Sequence, residues 1–217
     1  MLWADYTSTH KAVKLHLCLE LNRMITVDFL VTAGNSNDRY ALLKMLVEGV
    51  TYMEVSGYGA FYVYHAIIPA KAHFIIRIKT NILFTQQESL KVQLPVSVQH
   101  IFREVTDELI RFKNDKHAHI YRLVRFVIGS ESFYVLTDRR DLTTFQIIML
   151  YAYRWQIELM FRFLKRTINP IHLIKHNQPG VTIQFYMMLI VALLELHLKP
   201  ETMDIVSANR LIKLVNK

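Results

Sequence analysis

The stretch "YAYRWQIELMFRFLK", residues 151–165, decides how the rest of the chain is interpreted. At 100° per residue its polar members fall within an arc of about 80°, and large apolar residues occupy the adjoining and opposite sides. A solvated helix face would explain the pattern, because several of these residues are four positions apart and can pair. The polar members are Tyr151, Arg154, Glu158, Arg162 and Lys165.

The spacing within this stretch points to chemistry. Two, three and six residues separate, in turn, Tyr151, Arg154, Glu158 and Lys165. This spacing resembles the Y-R-E-K signature of DDE transposases of the insertion-sequence-four family. The apolar positions of that motif are also filled, by Trp155, Ile157 and Phe161.

Three further segments carry the same resemblance. "KAVKLHLCLEL" (11–21) is similar to the family's Lys-Leu-His strand, and "AGNSNDRYALLKML" (33–46) to its Asn/Asp-rich turn before a helix. "GYGAFYVYHAIIPAKAHFIIRIK" (57–79) is similar to its segment from a Gly-Tyr pair to an Arg-bearing strand. The resemblance implies a ribonuclease-H-like catalytic domain over residues 1–217, truncated at its N-terminus, with a β-rich insertion and a DNA substrate.

Hydrophobic periodicity independently predicts an α/β fold. Apolar residues alternate from Val13 to Leu21, which indicates a half-buried strand, and a turn at Asn22 and Arg23 then leads into a second strand, so the chain opens with an antiparallel hairpin. Asn37 or Asp38 is placed to cap a helix that runs to Gly49. Strand, helix and strand follow, an order typical of a sheet that is at least partly parallel.

The second half of the chain changes character twice. Residues 80–138 form short alternating runs broken by turn residues, which predicts the β-rich insertion. Residues 143–217 read as helical: an uninterrupted helix over 144–167, a loop, a helix over 181–198 and a last helix after residue 204. Asp141 or Thr143 is expected to cap the first of these helices.

The composition limits the partners and the compartment. Twenty-six Lys and Arg against eighteen Asp and Glu give a net charge of +8 and a pI near 9.5, which favours a polyanionic partner. The single cysteine, Cys18, excludes a disulfide framework within the chain and favours a cytoplasmic protein without a secretion signal. The most apolar run, residues 185–194, is about half the length of a bilayer span and predicts a core helix rather than a membrane segment.

The resemblance assigns roles to the residues of the opening stretch. Glu158 becomes the third catalytic carboxylate and a ligand of Mg²⁺, with Mn²⁺ as an alternative, in a site that activates water or a 3′-hydroxyl for phosphoryl transfer. The resemblance assigns DNA contacts to the tyrosine and to the cations around it. The tyrosine hydroxyl can donate a hydrogen bond to a phosphate oxygen, and the cations can neutralise phosphate charge. This set comprises Tyr151, Arg154, Arg162 and Lys165.

The pattern departs from the family at the other two carboxylates. The second aspartate is expected two residues before the Gly57-Tyr58 pair, where this chain has Val55. Glu54 would point to the opposite face of the strand unless the strand ends in a bulge. Asp5 is the candidate for the first aspartate, and Asp138 is better suited to a turn or a cap.

The histidines do not form a metal-site pattern in the sequence. His10 and His16, and likewise His117 and His119, have the spacing of one strand face, but no carboxylate or further ligand accompanies them. We therefore interpret them as surface or core side chains.

Three hypotheses for the function follow. The chain is a transposase-derived DNA-binding protein with impaired catalysis, a competent transposase that uses Asp5 or Glu54, or a non-enzymatic inhibitor. An inhibitor would bind DNA or a full-length transposase. The expected partners are the DNA ends of an insertion sequence, with a homodimer or a complex with full-length transposase as further candidates. The expected location is the cytoplasm, at the nucleoid.

Overall fold

A computed structural model describes residue 4 and residues 11–54, 60–167 and 177–198. The described residues form two compact units. The hairpin unit contains residues 4, 11–45, 155–167 and 177–198, and the sheet unit contains residues 46–54 and 60–154. The predicted α/β class is confirmed, since a mixed sheet and flanking helices consistent with a ribonuclease-H-like core are present.

The hairpin unit opens with the antiparallel strands that the alternating pattern predicts. Strand β1 covers Val13–Glu20, strand β2 covers Ile25–Ala33, and their register shifts between Cys18 and Leu19. The apolar side of β1 packs against the core of this unit through Val13, Leu15, Leu17 and Leu19.

Helix α1 covers Asp38–Lys44 and is capped as predicted, with the Asn37 side chain accepting a hydrogen bond from the Arg39 N–H. Its predicted end at Gly49 is wrong. The Val47 N–H donates to the Tyr52 hydroxyl at 2.9 Å, and the Gly49 N–H donates to the Lys71 carbonyl at 2.9 Å. These bonds take the backbone out of the helical pattern.

Two long helices complete the hairpin unit. Helix α4 covers Trp155–Thr167 and helix α5 covers Gln178–Leu198, three residues earlier than the predicted start. The core lies between these helices and β2, and its buried members are Val31, Met160, Leu164, Val181, Phe185, Met188, Leu189 and Ala192.

The sheet unit is built on six strands in the order β3-β4-β8-β7-β6-β5. β3 and β4 are parallel and are joined through helix α2, Phe61–Ile67, and the remaining neighbours are antiparallel. The strands of the predicted insertion therefore extend the same sheet. The strand bounds are Thr51–Glu54, His73–Arg77, Phe84–Ser89, Arg103–Phe112, Ile120–Ile128 and Glu131–Thr137 for β3 to β8.

Helix α3, Thr144–Tyr153, packs on this sheet. Of the two predicted caps, Thr143 is the one used: its hydroxyl accepts from the Gln146 N–H, and the Gln146 side chain accepts from the Thr143 N–H. This reciprocal pair satisfies two N–H groups that a helix start leaves without partners.

Helix α5 is apolar on two sides. The side chains on one side are buried in the core, whereas the other side exposes Ile183, Tyr186, Met187, Ile190, Val191 and Leu194. Residues 178–195 have a mean hydropathy of 1.3, so this helix has the length and composition to cross a membrane. The prediction that the apolar run is too short to span a bilayer considered only residues 185–194 and is wrong for the whole helix. The predicted helix itself is confirmed. A single helix of this kind is weak evidence for a membrane span.

Candidate active site

The polar face of α4 is set by how the helix buries its other side. Met160 and Leu164 are almost fully buried in the core of the hairpin unit. At 100° per residue they lie about 200° and 240° around the helix from Glu158. Arg162 and Lys165 lie within about 40° of Glu158, on the side away from the core. We call Glu158, Arg162 and Lys165 the α4 polar face.

The two cations of this face are exposed and Glu158 is half-buried. Glu158 is in the first turn of α4, and Lys165 and Arg166 are in the last. Negative charge at a helix start and positive charge at its end both interact favourably with the helix dipole. The placement of these charges therefore has a structural benefit of its own, and it also puts a carboxylate one turn from a cation.

The predicted uninterrupted helix over 144–167 is wrong, because α3 ends at Tyr153 and α4 begins at Trp155. Between them, the Arg154 N–H donates to the Tyr151 carbonyl at 3.2 Å, a bond three residues back instead of four. The single arc drawn across residues 151–165 therefore does not apply. It holds within α4 only.

Tyr151 is not on an exposed polar stripe. Its side chain is 7% exposed and belongs to the apolar cluster between α3 and the sheet, with its ring centroid 6.4 Å from that of Phe133. The Arg154 guanidinium carbon lies 5.7 Å from the Tyr151 ring centroid, within the range of a cation–π contact. The DNA-contact roles of both residues stay predictions.

The other predicted carboxylates are only partly within the described residues. Glu54 is the last residue of β3, where its backbone lies opposite Ile76 of β4. Asp5 and Val55 lie outside the described residues. Their positions relative to Glu158 stay predictions.

Asp138 has a structural function, although it is neither the turn nor the helix cap that the sequence suggests. Its carboxylate contacts His73 Nδ1 at 2.6 Å and accepts from the Phe74 N–H at 2.9 Å, both at the start of β4. Glu54 pairs with the opposite end of that strand. Asp138 therefore fixes the chain after β8 against β4.

A divalent-metal site is not complete in the described part of the chain. Within it, no group of three His, Cys, Asp or Glu side chains is arranged to hold a metal ion. Glu158 is the one predicted ligand whose side chain is described, and one carboxylate does not fix two divalent ions. The described residues alone do not fit the expected Mg²⁺ pair.

The structure does assemble a histidine cluster that the sequence did not show. His65 comes from α2, and its ring centroid lies 4.1 Å from that of His117 and 5.1 Å from that of His119. The buried Asp115 carboxylate lies 3.0 Å from His65 Nε2. The sequence did not reveal this carboxylate beside His117 and His119, and among the described residues the cluster is not a group arranged to hold a metal ion. The D-K-H-A-H run, residues 115–119, was the one indication in the sequence that a carboxylate lies near these two histidines. Nothing in the sequence indicated that His65 joins them.

His16 is a core side chain, one of the two possibilities that the sequence left open. It is buried and its Nε2 lies 2.9 Å from the Thr32 hydroxyl. Burial lowers the pKa of His16, and the Asp38 carboxylate opposes this only in part. His10 lies outside the described residues.

Comparison with known proteins agrees with the resemblance. Residues 4–194 match the family described as the transposase DDE domain. The chain belongs to this family. Its members generally use divalent metal ions and are typically soluble, cytoplasmic proteins. The narrower insertion-sequence-four assignment stays a prediction.

Two curated relatives give the same indication. Over 193 residues the chain is 28% identical to the transposase-like protein y4zB of Sinorhizobium fredii, covering 85% of this chain and 52% of that protein. Over 174 residues it is 25% identical to a transposase assigned to insertion sequence element IS5377 of Geobacillus stearothermophilus, covering 77% and 44%. The chain spans about half the length of these relatives.

Proposed function

We infer that this family member acts in the transposition of an insertion sequence and binds the DNA of its ends through the α4 polar face. The observation that supports this is the placement of Arg162 and Lys165 on the side of α4 opposite its buried residues. An excess of eight positive charges favours association with DNA in general, and hence a nucleoid location.

The α4 polar face suits a phosphate better than a neutral ligand. Lys165 and Arg162 bring two positive charges within a few turns of one helix, and Glu158 offsets only one of them. A phosphate diester bound to the cations would balance the face and leave Glu158 close to the scissile group. Arg154, whose side chain is half-buried, is proposed as a separate DNA contact on the sheet unit. The predicted contact of Tyr151 is not suited by the burial of its side chain in the apolar cluster.

Catalysis by this chain is proposed to be impaired. Val55 stands where the resemblance expects an aspartate, and valine offers no oxygen to a metal ion. Asp5 and Glu54 are the two carboxylates that a competent enzyme would have to use instead. A protein that keeps the DNA-binding face without a full set of acids would occupy DNA ends and cleave them poorly.

Nicking of supercoiled DNA in Mg²⁺, and separately in Mn²⁺, tests the catalytic part. We expect the wild-type chain and Glu158→Gln to show the same low rate, because Val55 already leaves the set of catalytic acids incomplete. The substitution keeps the shape of the side chain and removes only its charge. If the wild type nicks at least about tenfold faster than Glu158→Gln, corresponding to about 1.4 kcal/mol of transition-state stabilisation, the chain is a competent enzyme.

Salt-dependent binding to duplex DNA tests the α4 polar face. Lys165→Gln should weaken binding and reduce the magnitude of the salt slope by about 0.9, the value for one lost phosphate contact. Arg166→Gln is the matched control, because it removes the same charge from the adjacent exposed position. If Lys165→Gln and Arg166→Gln weaken binding equally, Lys165 makes no specific phosphate contact, and only the overall positive charge attracts the DNA.

A second candidate function is inhibition of a full-length transposase by direct binding. The exposed apolar side of α5 supports it, since Ile183, Met187, Ile190 and Leu194 follow the four-three-four spacing of a coiled-coil seam. The proposed occupant is the equivalent helix of a second copy, in a homodimer or in a longer transposase. Ile190→Glu should convert dimer to monomer in light-scattering chromatography, and a wild-type monomer at high concentration would exclude this function.

A further inference from the structure

Strand β2 of the hairpin unit has the properties of an edge that pairs with another chain. Within the described residues its one strand neighbour is β1, so its other edge has no strand partner there. Its sequence, "ITVDFLVTA" (25–33), contains one charged residue and is rich in β-branched side chains. An edge strand of this length and composition favours association between chains.

The hydrogen bonds around β2 show which of its residues face the open edge. The Gly34 N–H donates to the Ala12 carbonyl at 2.8 Å, so the even-numbered residues of this strand are those that bond to β1. Odd-numbered residues such as Phe29 and Val31 therefore direct their N–H and C=O groups outward. The Phe29 N–H fits this assignment, because its acceptor is the exposed Asp28 carboxylate, at 2.8 Å.

A groove runs beside the second half of this edge. Its volume is about 380 Å³, and it is lined by residues 30–33 of β2, by Ser36, by one side of α1 and by the first residue of α5. A groove of this size accommodates a ligand rather than a few water molecules. Of the described residues that line it, Lys44 alone is charged, and its ammonium group lies 5.4 Å from the Tyr40 ring centroid.

Asp28 and helix α1 lie on the same face of the hairpin. Odd-numbered residues of β2 contribute to the core that α5 covers, so the even-numbered residues point to the opposite face. His16 is on that face, because it is paired with Leu30. Its Nδ1 atom lies 3.6 Å from the carboxylate of Asp38, the first residue of α1. The open edge thus has a negative charge at Asp28 and a positive charge at Lys44 on one face.

We propose that this edge takes strand β2 of a second copy of the chain, so that the two hairpins join into one antiparallel sheet. A twofold axis through Leu30 sets Phe29 of each copy opposite Val31 of the other, and both residues present outward-facing groups. The Phe29 N–H then acquires a backbone carbonyl as its acceptor. The proposal does not depend on DNA binding, and it uses a different surface from the exposed side of α5.

Charge complementarity selects a second copy as the occupant of the groove. In the same register, Asp28 of each copy is opposite Thr32 of the other, which lines the groove. The Asp28 carboxylate, no longer needed by the Phe29 N–H, meets the Lys44 ammonium group there. Symmetry repeats this contact at the other end of the paired strands. Opposite charges at fixed positions also set the register of the two strands.

Size-exclusion chromatography with light scattering on the whole chain tests the proposal. The wild type should be a dimer, and Asp28→Lys and Lys44→Glu should each raise its dissociation constant at least about tenfold, because each sets like charges opposite one another. Mixed in equal amounts, the two variants should form a dimer again, since both contacts across the mixed interface then join opposite charges. Arg23→Glu is the matched control, because it reverses an exposed charge of the same hairpin outside the groove.

Three results would overturn the proposal. They are a wild-type monomer, a mixture of the two groove variants that stays monomeric, and an equal loss of dimer in Arg23→Glu and Lys44→Glu. Circular dichroism of each variant checks that the fold is kept, so that a lost dimer is not a lost fold.

Ile190→Glu separates this contact from pairing through α5. If Ile190→Glu gives a monomer and the groove variants stay dimeric, α5 forms the dimer and the β2 contact fails. If only the groove variants become monomeric, the β2 contact stands and α5 pairing fails. If both sets lower the mass, both contacts form and the wild type assembles beyond a dimer, because two different twofold contacts build chains of molecules.

Discussion

Two carboxylates of this chain, Asp107 in β6 and Glu158 in α4, show how burial decides what a charged residue is for. Asp107 is almost fully buried and accepts hydrogen bonds from Arg122 Nε and Nη2, at 2.8 and 2.6 Å, and from the Thr144 hydroxyl at 2.7 Å. Glu158 is half-buried on a helix whose opposite side makes the core contacts. The Asp107 carboxylate is fully occupied by hydrogen bonds to buried partners, whereas Glu158 lies on the same helix face as the exposed Arg162 and Lys165.

The Asp107 network also explains how the insertion strands position a helix. Arg122 on β7 bonds to Asp107 on β6 and, through Nη1, to the Leu142 carbonyl at 2.6 Å. Thr144, the first residue of α3, donates to the same carboxylate and accepts from the Gln93 N–H. The start of α3 is therefore fixed to the sheet by charge-assisted bonds.

Asp107→Ala should give the largest loss of stability. It leaves the Arg122 guanidinium buried without its partner, which costs about 3 to 5 kcal/mol of unfolding free energy. Urea denaturation followed by circular dichroism measures it, with Thr144→Val as a control that removes one bond to the carboxylate. A loss below about 1 kcal/mol would show that water replaces the carboxylate and that the network is not structural.

Leu164→Ala, on the buried side of α4, should cost about 2 to 4 kcal/mol through lost burial and the cavity left behind. Arg162→Gln, two positions earlier on the exposed side, should change the unfolding free energy by no more than about 0.5 kcal/mol. The same urea titrations compare them. Similar losses at the two positions would contradict the assignment of the α4 polar face.

Asp115→Asn should cost about 1 to 3 kcal/mol near neutral pH, because buried donors lose their charged acceptor. The folded state lowers the pKa of Asp115, so its stabilisation is present above the ordinary carboxyl pKa of about 4 and is lost as pH falls through the lower folded value. The difference between variant and wild type should shrink below about pH 4. Denaturant midpoints across an acid series measure this difference, and a constant one would exclude the lowered pKa.

Thr143→Ala should have the smallest of these effects, about 1 kcal/mol, because it removes half of the capping box of α3. Thr143→Ser keeps the hydroxyl and should retain most of the stability. Thermal denaturation of both variants gives the comparison. If alanine and serine behave alike, the cap contributes little beside the Asp107 network.

Local patterns predicted much of this fold. Alternation from Val13 predicted the hairpin, and the runs after residue 80 predicted strands. Two helix starts were predicted with two candidate caps each, of which the structure uses Asn37 and Thr143. Each depends on residues close in the chain, whose geometry the backbone sets directly. The Y-R-E-K spacing indicated the family for the same reason, since it lies within fifteen residues.

Contacts between distant residues could not be predicted this way. Tyr151 looked polar on a helical projection and is buried because the sheet strands reach it, and the break at Arg154 divides the projection itself. His65 meets Asp115 across fifty residues of chain. No periodicity encodes such an encounter, because it exists only after the strands have paired.

The sequence by itself thus determined the hairpin, the helix caps, the positive charge and membership of the transposase family. Tertiary structure decided which charged residues are buried and paired and which remain at the surface. Asp107 and Asp115 are buried, whereas Arg162 and Lys165 are exposed. The physical reason is that charge belongs to the residue, whereas desolvation and pairing belong to its surroundings, which only the folded chain creates.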